Sequence, residues 1–364
     1  KTYYVAQSFL GNNGLVLGGI PNAEIGPEML TKTSIGLDGS FFKERLQVSL
    51  DAYHHVVNDM LTLSHAMPSS GFDYYLSNGG AMKNDGLDLT VNGRIVNSAI
   101  KWDLGLTISR YKNEVTRLDC GTLESDLNGA TVQTKVGQPI GVFYGYQTNG
   151  VYTTQEEAGA AGKYIMDGSV KRYFSGGDIQ FVDKTGEGEI NEKDRVVIGD
   201  PNPDVFGGIM SAVSWKTVSL ETRFTYSLGG DVFNYTRYLL ESMSGFDNQS
   251  QAVLNRWQVD GQSTSIPKAT WGDPMGNSRF SDRWIEDGSY LRLKDVTLSY
   301  LLPNVPDAVK SVRLFVTGEN LLTLTNYMGA DPEFSQSESP LYYGVDAVIC
   351  PQPKAVFLGI KIGL

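Results

Sequence analysis

From Val218 to Leu228 the chain reads V-S-L-E-T-R-F-T-Y-S-L. Val218, Leu220, Phe224, Tyr226 and Leu228 therefore share one side, and Ser219, Glu221, Arg223, Thr225 and Ser227 share the other. The same stripe sets Ile100, Trp102, Leu104, Leu106 and Ile108 against Lys101, Asp103, Gly105, Thr107 and Ser109. It returns at the end with Val356, Leu358, Ile360, Ile362 and Leu364. Successive side chains of a strand point to opposite faces, so this pattern specifies long strands with one apolar and one polar face. Two architectures accept them: a soluble sandwich, or a membrane barrel with apolar side chains outward and polar ones toward a wet lumen.

The pattern predicts nine strands, at about 32–42, 45–63, 82–94, 99–116, 205–215, 218–230, 289–301, 310–323 and 354–364. Short links fall at Phe42-Lys43-Glu44, Ile95 to Ser98, Trp215-Lys216-Thr217 and Pro303 to Val309. Long links, at about 64–81, 117–204, 231–288 and 324–353, alternate with them. Four long loops on one side fit an all-β, antiparallel transmembrane β-barrel, with short periplasmic turns and long extracellular loops. On that assignment the first and ninth strands both run inward. A complete bacterial barrel has an even strand count with both termini in the periplasm. Residues 1–364 are therefore expected to be one C-terminal portion of a larger barrel. The strand-like segment Pro139 to Tyr152 belongs, by parity, to an extracellular excursion. Tyr235 to Met243 and Ser250 to Val259 have helical spacing and are expected as short surface helices. The phase slip at Lys294-Asp295 predicts a bulge.

No Pro/Ser linker divides the chain, and no apolar run approaches the roughly 18 residues of a membrane helix. The 19 tyrosines suit surfaces that are half apolar and half wet, either interfacial girdles or sugar-binding faces. A net charge of -11 argues against nucleic acid as a partner. Cys120 and Cys350 match no metal or redox spacing, and whether they pair is left open. Lys1-Thr2-Tyr3-Tyr4 opens in mid-pattern with no secretory leader, as after leader removal or in a piece of something longer.

The sharpest local motif is D-K-T-G-E-G-E-I-N-E-K-D at 183–194. As a twelve-residue calcium loop it offers Asp183, Thr185, Glu187, the Glu189 carbonyl, Asn191 and Asp194, with Gly188 at the turn and Ile190 as apolar anchor. Thr185 is a weaker ligand than the usual Asp or Asn, and Asp194 is shorter than the usual Glu. The alternative is a solvated acidic turn. A bound Ca2+ would be structural, pinning a long loop against the entropy of disorder. Trp257, Trp271 and Trp284 lie in or beside the 231–288 loop with Tyr235, Tyr238 and Phe246. Such rings stack on sugars when exposed beside polar groups such as Asp273, Asn277, Ser278 and Arg279; otherwise they pack the loop on itself. Trp271, in T-W-G-D-P, is the first choice for ligand contact. His54 and His55 are neighbours on one strand, so their rings point to opposite faces and make no metal site, and His65 reaches only one of them. No G-x-S-x-G, P-loop or hydrolytic carboxylate pair is present, so an enzyme is not expected.

Several of these segments, taken in order, resemble one family. R-W-I-E-D-G-S-Y-L-R-L-K-D-V-T-L-S-Y at 283–300 with Leu302-Pro303, then Gly318-Glu319-Asn320-Leu321 and Y-M-G-A-D-P-E at 327–333, are similar to the closing signature of SusC/RagA-type TonB-dependent outer-membrane transporters. Gly137-Gln138-Pro139-Ile140-Gly141, Tyr144-Gly145-Tyr146, Gly177-Asp178-Ile179 and Asp183 to Asp194 resemble that family's long middle loop. The chain departs at Asn22 to Glu28, where Pro27 stands in place of the family's Trp, and at Leu364, where a terminal aromatic is usual.

The resemblance implies a plugged barrel of about 22 strands, with the plug and coupling box upstream of Lys1. It implies active import of oligosaccharides, or of peptides, across a bacterial outer membrane. A SusD-like surface lipoprotein lid and TonB-ExbB-ExbD would be the partners. Siderophore import, a passive porin and a soluble all-β carbohydrate-binding protein are the competing readings.

Overall fold

The alternating segments form a single antiparallel meander of nine strands in which each strand pairs with its neighbours in sequence. The strands are β1 (Met29–Phe41), β2 (Leu46–His65), β3 (Tyr74–Asn97), β4 (Ile100–Leu118), β5 (Val205–Trp215), β6 (Val218–Leu228), β7 (Tyr290–Leu301), β8 (Ser311–Thr325) and β9 (Ala355–Gly363). The computed structural model describes residues 4–9, 12–306, 309–334 and 339–363. Leu364, at the end of the expected ninth strand, and residues 307 and 308 of the short turn before β8 lie outside them.

All nine expected strands are present, and all the long connections leave from one rim. The expected 64–81 loop is the exception in length. Ser64 pairs with Tyr75 and His65 with Tyr74, which leaves a link of residues 66–73. Register shifts around Asp59 and Met60 break the period there, which hid the first residues of β3 from a periodicity reading. A hairpin of Tyr4–Phe9 and Asn12–Leu17 was also not foreseen. The segment 139–152 holds two short strands, Val142–Gly145 and Thr148–Val151, each in a small loop sheet and neither in the wall. The bulge falls where expected: Arg223 pairs with Asp295 and Phe224 with Leu293, and Lys294 is skipped.

Burial separates the two faces. Large apolar side chains of the wall are open, with Ile35 at 73%, Leu37 at 70%, Ile360 at 66% and Leu358 at 83% exposure. The buried apolar clusters lie almost entirely in the loops, built on Tyr152, Phe174, Phe181, Phe143, Phe233 and Trp284. A soluble sandwich would bury its wall residues first, so this inversion favours the barrel. On the opposite face, polar side chains pair across strands. Arg223 Nε donates to Asp295 Oδ2 at 2.7 Å, Arg94 Nε to Asp103 Oδ1 at 2.8 Å, and the Thr297 and Thr317 hydroxyls meet at 2.8 Å.

The short-turn rim carries interfacial aromatics. Trp102 Nε1 donates to Ser211 Oγ at 3.1 Å on the apolar face, and the Lys216 ammonium sits over the Trp215 ring. Such amphipathic rings suit a membrane boundary. Above β2 and β3, the departing segment 22–28 forms a strap. Glu28 accepts the Leu61 N–H at 2.8 Å, and Gly26 exchanges hydrogen bonds with the Asn78 side chain.

Candidate functional site

The polar face and the long loops meet at the outer rim. On β4, Tyr111 and Asn113 donate to Asn202 Oδ1, and Asn113 Oδ1 accepts the Ile140 N–H at 2.8 Å. On β7, Arg292 is 2% exposed, pairs with Asp331, and lies 3.0 Å from Glu333. The loops after β4 and β8 thus fold inward over the polar face. Ser227, Tyr290, Asp231, Glu333 and Phe334 border a cavity of about 90 Å³ between loops and wall, room for several waters. Burial raises the Asp231 carboxyl above its ordinary range, and nearby Asp200, Asp287 and Asp204 push the same way against the Asp200 N–H. At the other rim, Lys43, Arg45, Gln47, Arg94 and Asp103 border an open groove of about 520 Å³.

The loops are joined to one another. Asp178, with no exposed surface, accepts from Lys268 Nζ at 3.0 Å and Asn277 Nδ2 at 2.9 Å, while Asn277 Oδ1 accepts the Ile179 N–H. Asp282 accepts both the N–H and the hydroxyl of Thr148. Asp231–Asn234 pairs with Ile285–Asp287 on one side and with Val345–Asp346 on the other. Two helices brace this assembly. In α1 (Gln155–Ala161), Thr154 caps the Glu157 N–H and Glu157 reaches back to Thr153. In α2 (Tyr235–Glu241), Asn234 caps the Arg237 N–H. The second helix was legible from spacing; Ser250 to Val259 yields only a 3-10 turn, Gln251–Asn255. The first was missed, although T-Q-E-E at 154–157 has the form of a capping box.

The three tryptophans separate by burial. Trp284 has no exposed surface and donates Nε1 to the Arg279 carbonyl at 3.1 Å, so it offers no face to a ligand and that expectation is corrected. Trp257 packs on the Tyr152 cluster and donates to the Thr153 carbonyl at 3.0 Å. Gly177, at φ +84°, lets that ring approach so closely that a Cβ would lie 2.4 Å from it. Trp257 therefore also packs the loop on itself. Trp271 is different: it is 63% exposed, beside Phe246 at 93%, with ring centroids 4.2 Å apart. Asp273 accepts the Asn277 and Ser278 N–H groups and fixes the polar turn next to it.

The 183–194 loop closes through its two aspartates. Asp183 accepts the Gly186 and Gly188 N–H groups, and Asp194, fully buried, accepts those of Lys184, Thr185 and Asn191. Burial opposes the charge on Asp183, but those N–H groups, the Thr185 hydroxyl and Lys163 hold its carboxyl below the usual range. Thr185 Oγ1 lies 3.2 Å from Asp183 Oδ1 and 3.3 Å from Asp194 Oδ1. Glu187 instead takes a hydrogen bond from Asn191 Nδ2 at 2.7 Å. Three of the six expected oxygen donors thus converge. Among the described residues no three His, Cys, Asp or Glu side chains are gathered closely enough to hold a metal.

The His54 and His55 rings leave β2 on opposite faces, with His54 Nδ1 at 2.5 Å from Asp85 and His55 stacked on Tyr53. Cys120 and Cys350 are both free thiols.

The family model described as "TonB dependent receptor-like, beta-barrel" matches residues 2–321. The chain is 34% identical to TonB-dependent receptor P3 of Formosa agariphila, over 96% of this chain and 35% of that protein. It is 27% identical to TonB-dependent receptor SusC of Bacteroides thetaiotaomicron, over 92% and 32%. A structure of the RagAB peptide importer in its closed-closed state superposes with a TM-score of 0.77 at 25% identity, covering all of this chain and 38% of that one. The chain thus spans about a third of the length of the curated relatives it matches.

Proposed function

The chain belongs to the TonB-dependent receptor β-barrel family of the bacterial outer membrane, and we propose that it supplies wall and extracellular substrate loops for energised import of oligosaccharides. One observation carries this reading: the long loops fold inward over the polar face of a wall whose apolar face is open. That arrangement covers a wet passage from outside and leaves the other side to lipid. Trp271, with Phe246, is the exposed ring pair available to stack on a sugar. Binding, without bond chemistry, is the role of these residues.

A peptide cargo is the second reading, supported by the likeness to the RagAB peptide importer. Loop backbone groups would then hold the ligand by hydrogen bonds. The partners in either case are a SusD-like surface lipoprotein and TonB-ExbB-ExbD, engaged by the whole protein. The test is uptake by the full-length parent, with and without a working TonB system, of oligosaccharides and of peptides. Oligosaccharide uptake that needs TonB supports the first reading; TonB-dependent peptide uptake alone replaces it with the second.

Calcium at the 183–194 loop is part of the proposal. Asp183, Thr185 and Asp194 would hold the ion, supported by their convergence, and Glu187, Asn191 and the Glu189 carbonyl would complete a shell of hard oxygens. The ion would fix the loop and take no part in transport.

A further inference from the structure

Four strands change character at the same height on the apolar face. On β4 the outward side chains run Ile100, Trp102, Leu104, Leu106 and Ile108, then Arg110, Lys112 and Glu114. On β3, Val91, Leu89 and Leu87 give way to Asp85 and Lys83, on β2 Ala52 gives way to His54, and on β1 Ile35 gives way to Thr33. Register puts Ile35, Ala52, Leu87 and Arg110 in one row across the sheet and Thr33, His54, Asp85 and Lys112 in the next. The run from Ile100 to Ile108 matches the roughly 9–11 residues of a tilted membrane strand. The second row is therefore the outer edge of the lipid-facing band.

The charges along that edge are unequally matched. Lys83 pairs with Glu114 at 3.0 Å, and His54 pairs with Asp85 at 2.5 Å. Among the described residues, the Arg110 and Lys112 side chains make no hydrogen bond or ion pair, and both residues are exposed. Two residues apart on one strand, they point the same way immediately beyond Ile108 and Leu106. Asp85, which register places opposite Lys112, is held by His54, and Glu114 on their own strand is held by Lys83.

We infer that Arg110 and Lys112 form a docking site for the phosphate of a phosphorylated outer-leaflet lipid, whose acyl chains lie along Leu87, Leu106 and Ile108. Charge complementarity and continuity with the apolar band argue for a lipid, since a free anion would have no use for the adjoining apolar surface. A guanidinium offers paired donors to phosphate and an ammonium adds a point charge. Long basic side chains at a membrane edge also extend their charge toward the headgroups while their stems cover apolar surface. The site rests on the membrane-wall reading of this face.

The test uses the full-length parent, purified in mild detergent, and lipid A carrying one phosphate beside its phosphate-free counterpart. Retention of each lipid is measured by native mass spectrometry. The parent should retain the phosphorylated form better on the order of tenfold. Arg110→Gln with Lys112→Gln should lose that preference, and Arg110→Lys with Lys112→Arg should keep it, all three melting alike. Equal retention of both lipids, an unaffected glutamine variant, or inorganic phosphate competing as well as the lipid would overturn the site. A parent that is stable in plain buffer and binds no detergent would overturn the wall reading instead.

Discussion

Lys268 Nζ lies 3.0 Å from Asp178 Oδ2, joining the loop after β6 to the loop after β4 at a carboxylate with no exposed surface. Asn277 and both the N–H and the hydroxyl of Ser175 complete its shell. Removing the carboxylate leaves the Asn277 and Ser175 donors without their buried acceptor, while the Lys268 side chain, a quarter exposed, keeps contact with water. Asp178→Ala should destabilise the loop assembly by roughly 1.5–3 kcal/mol, seen as proteolysis in both loops at once. Cleavage confined to one loop would show that the pair does not couple them.

Trp284 and Trp271 should respond in opposite ways. Trp284→Ala empties a fully buried site and should cost roughly 3–5 kcal/mol in loop stability. Trp271→Ala should change stability by no more than about 0.5 kcal/mol and weaken binding of the proposed oligosaccharide ligand. Hydrogen exchange and titration calorimetry on the full-length parent separate the two effects. Unchanged ligand affinity in the Trp271 variant would remove it from the binding surface.

Loop 183–194 should loosen in acid. Asp183 is held below its ordinary range in the folded state, so its contribution is present above the unfolded value and is lost as pH falls through the lower, folded one. Protection of the loop from proteolysis should therefore fall below the usual carboxylate range. Chelator should lower protection at neutral pH as well, and Asp183→Ala with Asp194→Ala should reproduce both losses. Protection indifferent to chelator would remove calcium and leave a loop closed by Asp183 and Asp194 alone.

The wall was legible because strands of one apolar and one polar face carry their assignment in every second residue, as Val218 to Leu228 does. Loop lengths then placed the turns on one rim and the excursions on the other. The first residues of β3 were hidden because bulges near Asp59 and Met60 reset the period. The tryptophans show a deeper limit: Trp257, Trp271 and Trp284 have similar polar neighbours in sequence, and only packing separates the buried ring from the open one. Asp178 stood out as a motif residue, but its partner Lys268 lies 90 positions away, beyond any local pattern.

The central claim is that Leu220, Leu298 and Leu358 meet lipid while Glu221, Arg223 and Thr317 face water. With every native cysteine, Cys120 and Cys350 included, replaced by Ser, single cysteines at these six positions of the full-length parent can carry spin labels in a bilayer. Accessibility to oxygen, which concentrates in lipid, and to a water-soluble nickel chelate then reads each environment directly. Oxygen-dominated relaxation at the three leucine positions and nickel-dominated relaxation at the other three is the predicted result. Nickel-dominated relaxation on both sets, or the reverse assignment, would contradict it.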